Sequence, residues 1–125
     1  MSDKTMKVVM VEPGKPAYIT EIGCDLAGMQ KAVQGYIEPI YWLEDAVIVG
    51  NEEAKLMGME GNRRFGSQII AGPFFICGQC ETEDGADFCS LPDELCDKYV
   101  RQFAVPESIT QEKVENDMYA IFIGM

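Results

Sequence analysis

The sequence predicts an α+β domain, in which a mostly antiparallel sheet of about five or six strands carries two main helices packed on one face. Three observations predict it. Short runs rich in branched and aromatic residues recur with turn residues between them: Met6 to Val11, Ala17 to Ile22, Ile37 to Leu43 and Ala46 to Val49. Runs of that kind joined by polar breaks read as hairpins. Two other segments, Leu26 to Val33 and Leu91 to Phe103, carry apolar residues at three- and four-residue spacing, the period of an amphipathic helix. The chain of 125 residues is 47% hydrophobic and 25% charged, which fits one globular domain with a core of its own.

In chain order, residues 1–5 form a polar tail and a single domain is expected over 6–125. Met6 to Val11 is nearly continuous in apolar character, as in a central strand. Pro13-Gly14 marks a turn, because proline fixes φ and glycine tolerates positive φ. Ala17 to Ile22 returns as a second strand. Asp25 suits a helix N-cap, Leu26, Met29 and Val33 make the buried stripe, and Gly35 stands where a C-terminal cap belongs.

The hairpin that follows begins with Ile37, Pro39, Tyr41 and Leu43 on one strand face and Tyr36, Glu38, Ile40 and Trp42 on the other. Pro39 has no amide hydrogen for a ladder, so this strand lies at an edge or bulges there. Core packing is the expected state of Trp42. After Glu44-Asp45, the unbroken apolar run Ala46 to Val49 reads as a partner strand buried on both faces. Leu56 to Met59 fits either a strand or a helical turn. Ser67 to Ala71 and Phe74 to Cys77 are strands separated by Gly72-Pro73, and Glu81 to Asp87 is a surface loop. Ser90, Pro92 and Asp93 have the form of a capping box for a second helix. Its buried stripe is Leu91, Leu95, Tyr99 and Phe103, and Pro106 ends it. Thr110 to Asp117 reads as helical, and Tyr119 to Ile123 as a final strand or an apolar docking segment.

Composition excludes several chemistries. There is no histidine, so His-based triads, Cys-His pairs and His-ligated zinc are ruled out. No phosphate-binding glycine motif is present and no cofactor is expected. Cys77-Gly78-Gln79-Cys80 has zinc-knuckle or redox-pair spacing, with Cys89 and Cys96 as further thiols. The last two are too far apart for a second knuckle, and small buried thiols are the expected state, with no metal. The formal net charge is −11, and no Lys or Arg occurs between Arg64 and Lys98. A surface of that sign repels phosphate backbones, so direct nucleic-acid binding is not expected. No apolar run is long enough for a membrane span, and the Met-Ser-Asp-Lys start lacks the apolar core of a signal peptide, so a cytoplasmic location is expected.

The polar residues around the central hairpin are the candidate site. Tyr36, Glu38, Asn51 and Glu52 cluster near its open end; Asn62 and Arg63 follow, and Lys15 joins them if the first turn lies at the same sheet end. Loops at strand ends commonly carry binding groups. The Arg63-Arg64 pair suits an anion, whose geometry guanidinium groups match, or else pairs with the nearby glutamates.

Val11-Glu12-Pro13-Gly14-Lys15-Pro16 with Tyr18, Gly35-Tyr36-Ile37-Glu38, Asn51-Glu52-Glu53 with Lys55-Leu56, and Asn62-Arg63 stand in this order between Met6 and Phe103. As a set they resemble a small domain-of-unknown-function family of Gram-positive bacteria, their phages and mobile elements. Ala54 departs from that pattern, which has glycine in a tight turn there, so the turn is expected to be more helical. The cysteines are not part of the pattern. The resemblance implies no established activity; its setting implies, by association, a role in phage or plasmid biology.

The leading expectation is a non-enzymatic binding protein, with a small molecule or a protein as partner of the hairpin end. A small enzyme is one alternative, with Glu38 or Glu52 as general base and Arg63 holding an anionic substrate. The other is an acidic DNA mimic of antirestriction type, built on Glu81, Glu83, Asp84, Asp87 and the first turns of the second helix.

Overall fold

Uncharged apolar residues over 8–11, 47–49 and 74–77 fill the middle of the sheet, and the other elements are laid around them. A computed structural model describes residues 4–83 and 85–122, the last five of these by backbone alone. The elements are β1 (Thr5–Val11), β2 (Tyr18–Gly23), α1 (Leu26–Val33), β3 (Ile37–Trp42), β4 (Val47–Asn51), β5 (Gly61–Phe65), β6 (Gln68–Ala71), β7 (Phe74–Thr82), β8 (Gly85–Cys89), α2 (Asp93–Gln102) and α3 (Gln111–Phe122). The main sheet runs β2-β1-β7-β4-β3, β8 pairs with the far half of β7, and β5 with β6 forms a second, two-stranded sheet. All these pairings are antiparallel, so the α+β class and the six-stranded main sheet are as the sequence predicts.

Because side chains alternate along a strand, β1, β4 and β7 need cover on both sides. Val8, Met10, Val49 and Phe75 face one layer, where Val33 of α1 packs with Met29 and Ala32. Val9, Val11, Ile48 and Ile76 face the other, covered by Leu91, Tyr99 and Phe103 of the α2 segment. The two helices therefore lie on opposite faces and not on one. Packing both on one side would leave half of these apolar side chains in water. Val47, Ile48 and Val49 have no exposed surface, and burial contributes about 1.5–3 kcal/mol for each such side chain.

The ends of the helices depart from expectation. Asp25 caps α1 as predicted, its Oδ1 accepting from the Gly28 amide at 2.7 Å, a contribution of about 1 kcal/mol. At the other end Gln34, not Gly35, takes the left-handed conformation, with φ 64°. Gly35 is needed for another reason: a Cβ there would lie 2.6 Å from the Asn51 Nδ2. Ser90 forms no capping box. Its Oγ accepts from the Lys7 amide at 2.9 Å, tying the start of α2 to β1, and Pro92 stands at the N-cap without a side-chain bond. Asp93 and Glu94 complement the helix dipole in its place.

In β3, Pro39 brings both features that the sequence allowed. The strand is at the sheet edge and its register shifts between Pro39 and Tyr41. The extra residue reverses the alternation, so that Ile37 packs in the α1 layer while Ile40, Tyr41 and Leu43 all pack in the α2 layer. Trp42 is thereby turned outward. It is 51% exposed, with its ring 5.9 Å from that of Phe88, whereas Tyr41 takes the inner position, 4.6 Å from Phe65.

Two strands escape the sequence reading, β5 and β8. Asn62-Arg63-Arg64 is too polar to look like a strand, and of the segment Glu81 to Asp87, expected as a loop, residues 81–82 and 85–87 pair in the β7–β8 hairpin. The turn after β4 is a run of turns over 52–58, which settles Leu56 as turn and not strand. Residues 119–122 continue α3 as helix and are not a strand; Ile123, Asp84 and residues 1–3 of the tail lie outside the described residues.

Candidate functional site

Asn62 and Arg63 are the first surprise of the hairpin region, since β5 buries both of them, with relative exposures of 0% and 1%. The Asn62 amide group donates to the Val11 and Gly72 carbonyls, each at 2.9 Å. Arg63 NH1 donates to the Asn62 carbonyl at 3.1 Å and to its Oδ1 at 2.8 Å. Arg63 NH2 donates to the Lys15 carbonyl at 2.6 Å and the Phe103 carbonyl at 2.9 Å. Four of the five guanidinium hydrogens are thus spent on the protein itself, and only Nε is buried without a partner. Burial lowers the pKa of the group, although Glu107 opposes the shift. This pair fastens β5 to the β1–β2 turn and to the end of α2. Glu107 pairs with Arg64 instead, at 3.7 Å.

Lys15 belongs to this cluster through its backbone; its ammonium is exposed and 3.3 Å from Glu12 Oε1. The seven predicted residues therefore fall into two groups. Lys15, Asn62 and Arg63 meet at the staple, while Glu38, Asn51 and Glu52 meet at a cleft. Tyr36, 65% exposed, stands beside the second group, its carbonyl accepting from the Glu52 amide at 2.8 Å.

The cleft lies between the β3–β4 edge of the main sheet and β6 of the small one, and has a volume of about 250 Å³. Hairpin register pairs Ile37 with Asn51, which brings Glu38 and Glu52 to the same end. Both carboxylates are exposed at the mouth. Ile40, Ile69, Ile70 and Ala71 form an apolar floor. Asn51 is a positioning residue: its amide group donates to the Val33 and Gln34 carbonyls at 3.0 and 3.3 Å, closing the end of α1. Its Oδ1 accepts from the Glu53 amide at 2.8 Å and shapes the turn that carries Glu52.

Three further residues of the cleft were not singled out by the sequence as a site. Tyr41 donates to Gln68 Oε1 at 2.8 Å and so links the two sheets; burial, then the nearby Asp117, raises its pKa. Lys55 lines the cleft, but its ammonium is held 2.5 Å from Asp117 Oδ2. That same oxygen accepts from the Ile69 amide at 3.2 Å. No local pattern marks these contacts, because they join β3, β6 and α3 across the tertiary fold.

The thiols do not converge as a group of four. Cys77 packs in the α1 layer and Cys96 in the α2 layer, on opposite sides of the sheet. Among the described residues no group of three or more Cys, Asp or Glu is placed to hold a metal ion. Burial pushes the Cys77 thiol up to about 12, and burial with a hydrogen bond to Cys80 pushes Cys89 to about 12 as well. In the acidic half, Asp93 is paired with Lys7, while Glu81 and Asp87 lie on the β7–β8 ribbon.

Fold and site define a small antiparallel α+β domain with an open cleft where a second hairpin docks on the edge of the main sheet. Residues 6–104 match the family model described as Domain of unknown function (DUF3846), and the chain belongs to that family. No curated protein and no solved structure matches the chain. Among the described residues no helix is long and apolar enough to cross a membrane.

Proposed function

We propose that this domain is a non-enzymatic binding protein whose cleft between β3–β4 and β6 receives a small ligand or a side chain of a protein partner. The observation that carries this reading is the pair Glu38 and Glu52 at the mouth of an apolar-floored cleft whose other polar groups are largely bonded within the fold. Few, placed polar groups over an apolar floor are the usual make-up of a ligand site, and about 250 Å³ is below the roughly 300–1,000 Å³ of drug-sized pockets, so the occupant is small. The enzyme alternative loses its anion clamp, because Arg63 is buried in hydrogen bonds to carbonyls and does not line the cleft. The mobile-element setting implied by the resemblance makes phage or plasmid biology the context in which to seek the occupant.

Metabolite profiling with the purified protein tests the reading. Wild type is expected to retain compounds unchanged, and Gln68→Trp, which fills the cleft from an exposed position, is expected to release them while staying folded. Retention unaffected by that substitution removes the cleft from the account, and conversion of a compound replaces binding by catalysis.

A second reading, the acidic DNA mimic, draws support from one feature. Glu81 and Asp87 stand on a paired ribbon and not on a loop, which fixes their positions, one on each face of the ribbon. Binding of a basic partner would then weaken steeply between about 50 and 200 mM salt and on replacing Glu81, Glu83 and Asp87 by amides. Binding indifferent to both changes eliminates it.

A further inference from the structure

Among the described residues that line the cleft Lys55 is the only base, and the fold pairs its ammonium with a carboxylate. Its ammonium and the Asp117 carboxylate are only 20% and 15% exposed and lie 2.5 Å apart. Asp117 is held in place from two sides. Its Oδ2 also receives the Ile69 amide, and α3 is seated by Val114, which packs with Ile109 against Ala54, Ile69 and Ala71. α3 follows the segment matched by the family model, which ends at residue 104. The carboxylate that neutralises the cleft's base is therefore supplied from beyond the matched domain.

We propose that Asp117 sets the charge selectivity of the cleft: by holding Lys55 it leaves Glu38 and Glu52 unopposed at the mouth, so the cleft takes a small organic cation with an apolar body. The inference rests on the cleft being a binding site. Carboxylates accept hydrogen bonds and supply no donor, so they suit an ammonium, amidinium or guanidinium group. The isoleucine floor suits the hydrocarbon or ring attached to it. Without Asp117, the flexible stem of Lys55 lets its ammonium turn toward Glu38 and Glu52, where it competes with a cationic ligand and welcomes an anionic one. Asp117 is a positioning residue in this scheme, acting through Lys55.

Amide NMR titrations of the full chain with benzamidinium and benzoate, probes of similar size and opposite charge, test it. In wild type, benzamidinium should shift the amides of Glu38, Glu52 and Ile69 and bind about tenfold more tightly than benzoate. Asp117→Asn, which keeps an oxygen for the Ile69 amide, should bring that ratio towards one. Adding Lys55→Met to Asp117→Asn should restore the preference for benzamidinium, a rescue that a merely structural role of Asp117 does not give. Lys55→Met alone should keep the wild-type preference. If benzamidinium maps to the cleft but Asp117→Asn leaves the ratio unchanged, or its loss is not rescued, the role of Asp117 is overturned and the cleft stands as a site. If neither probe shifts the cleft amides, both fall.

Discussion

The guanidinium of Arg63 donates to the Phe103 carbonyl at 2.9 Å, and so binds the small β5–β6 sheet to the end of α2. The same NH2 group reaches the Lys15 carbonyl in the β1–β2 turn. One side chain thereby joins three parts of the chain that are far apart in sequence.

Replacing Arg63 by Met leaves those carbonyls buried without their donor, and a loss of about 3–5 kcal/mol is expected in urea unfolding. Arg63→Lys should recover only a fraction, since a single ammonium cannot reproduce the fork. Retention of ligands by the folded fraction of Arg63→Met should stay at the wild-type level; its loss would return Arg63 to the site.

Asn51 and Gly35 are expected to couple. Asn51→Ala orphans the carbonyls at the end of α1 and should cost about 1–3 kcal/mol. Gly35→Ala drives a Cβ to 2.6 Å from Asn51 Nδ2, so it should cost less when Asn51 is already alanine. A double-mutant cycle measures the difference, and strictly additive values would refute the contact.

Acid stability should carry the mark of Asp45. Its carboxylate accepts from the Tyr99 hydroxyl at 2.6 Å and from Lys98 at 2.9 Å, and these bonds, that of Tyr99 foremost, hold its pKa below the usual value. A depressed folded pKa means that the unfolded state takes up the proton first. The stabilisation is then present above the unfolded value of about 3.9 and is lost as pH falls through the lower folded one. Wild type and Asp45→Asn should differ by a constant amount in unfolding free energy above about pH 5 and converge below about pH 4. Parallel curves throughout would sink this assignment.

Thiol labelling should separate the cysteines. Cys77 and Cys89 have pKa values pushed up to about 12, so at pH 8 almost none of either is thiolate, the reactive form. Cys24 is exposed. Iodoacetamide followed by peptide mass mapping should modify Cys24 well before Cys77 and Cys89; equal rates would contradict the burial of Cys77 and the raised pKa of Cys89.

The parts of the fold legible in the sequence are those whose side chains obey the alternation of burial. Ala46 to Val49 reads as a doubly buried strand because nothing polar interrupts it, and Leu91, Leu95, Tyr99 and Phe103 read as one helix face for the same reason. β5 hides because its inward residues, Asn62 and Arg63, are polar and find carbonyls only in the folded chain. β8 hides because a solvent-facing ribbon needs only backbone pairing, which leaves no apolar pattern. Opposite placement of the helices was implicit in the continuous apolar runs of β1 and β4, which need cover on both faces. In the site, Glu38, Asn51 and Glu52 were within reach because one hairpin register joins them. Tyr41, Gln68 and Asp117 were not, because a bulge and two docking events bring them there.

The most direct measurement is the affinity of benzamidinium for Glu38→Gln/Glu52→Gln beside wild type. Both residues are exposed, so the substitutions should leave folding intact while removing the two charges at the mouth. Binding weakened by about tenfold or more is the result predicted. Unchanged affinity would contradict the claim that this cleft is where the protein meets its ligand.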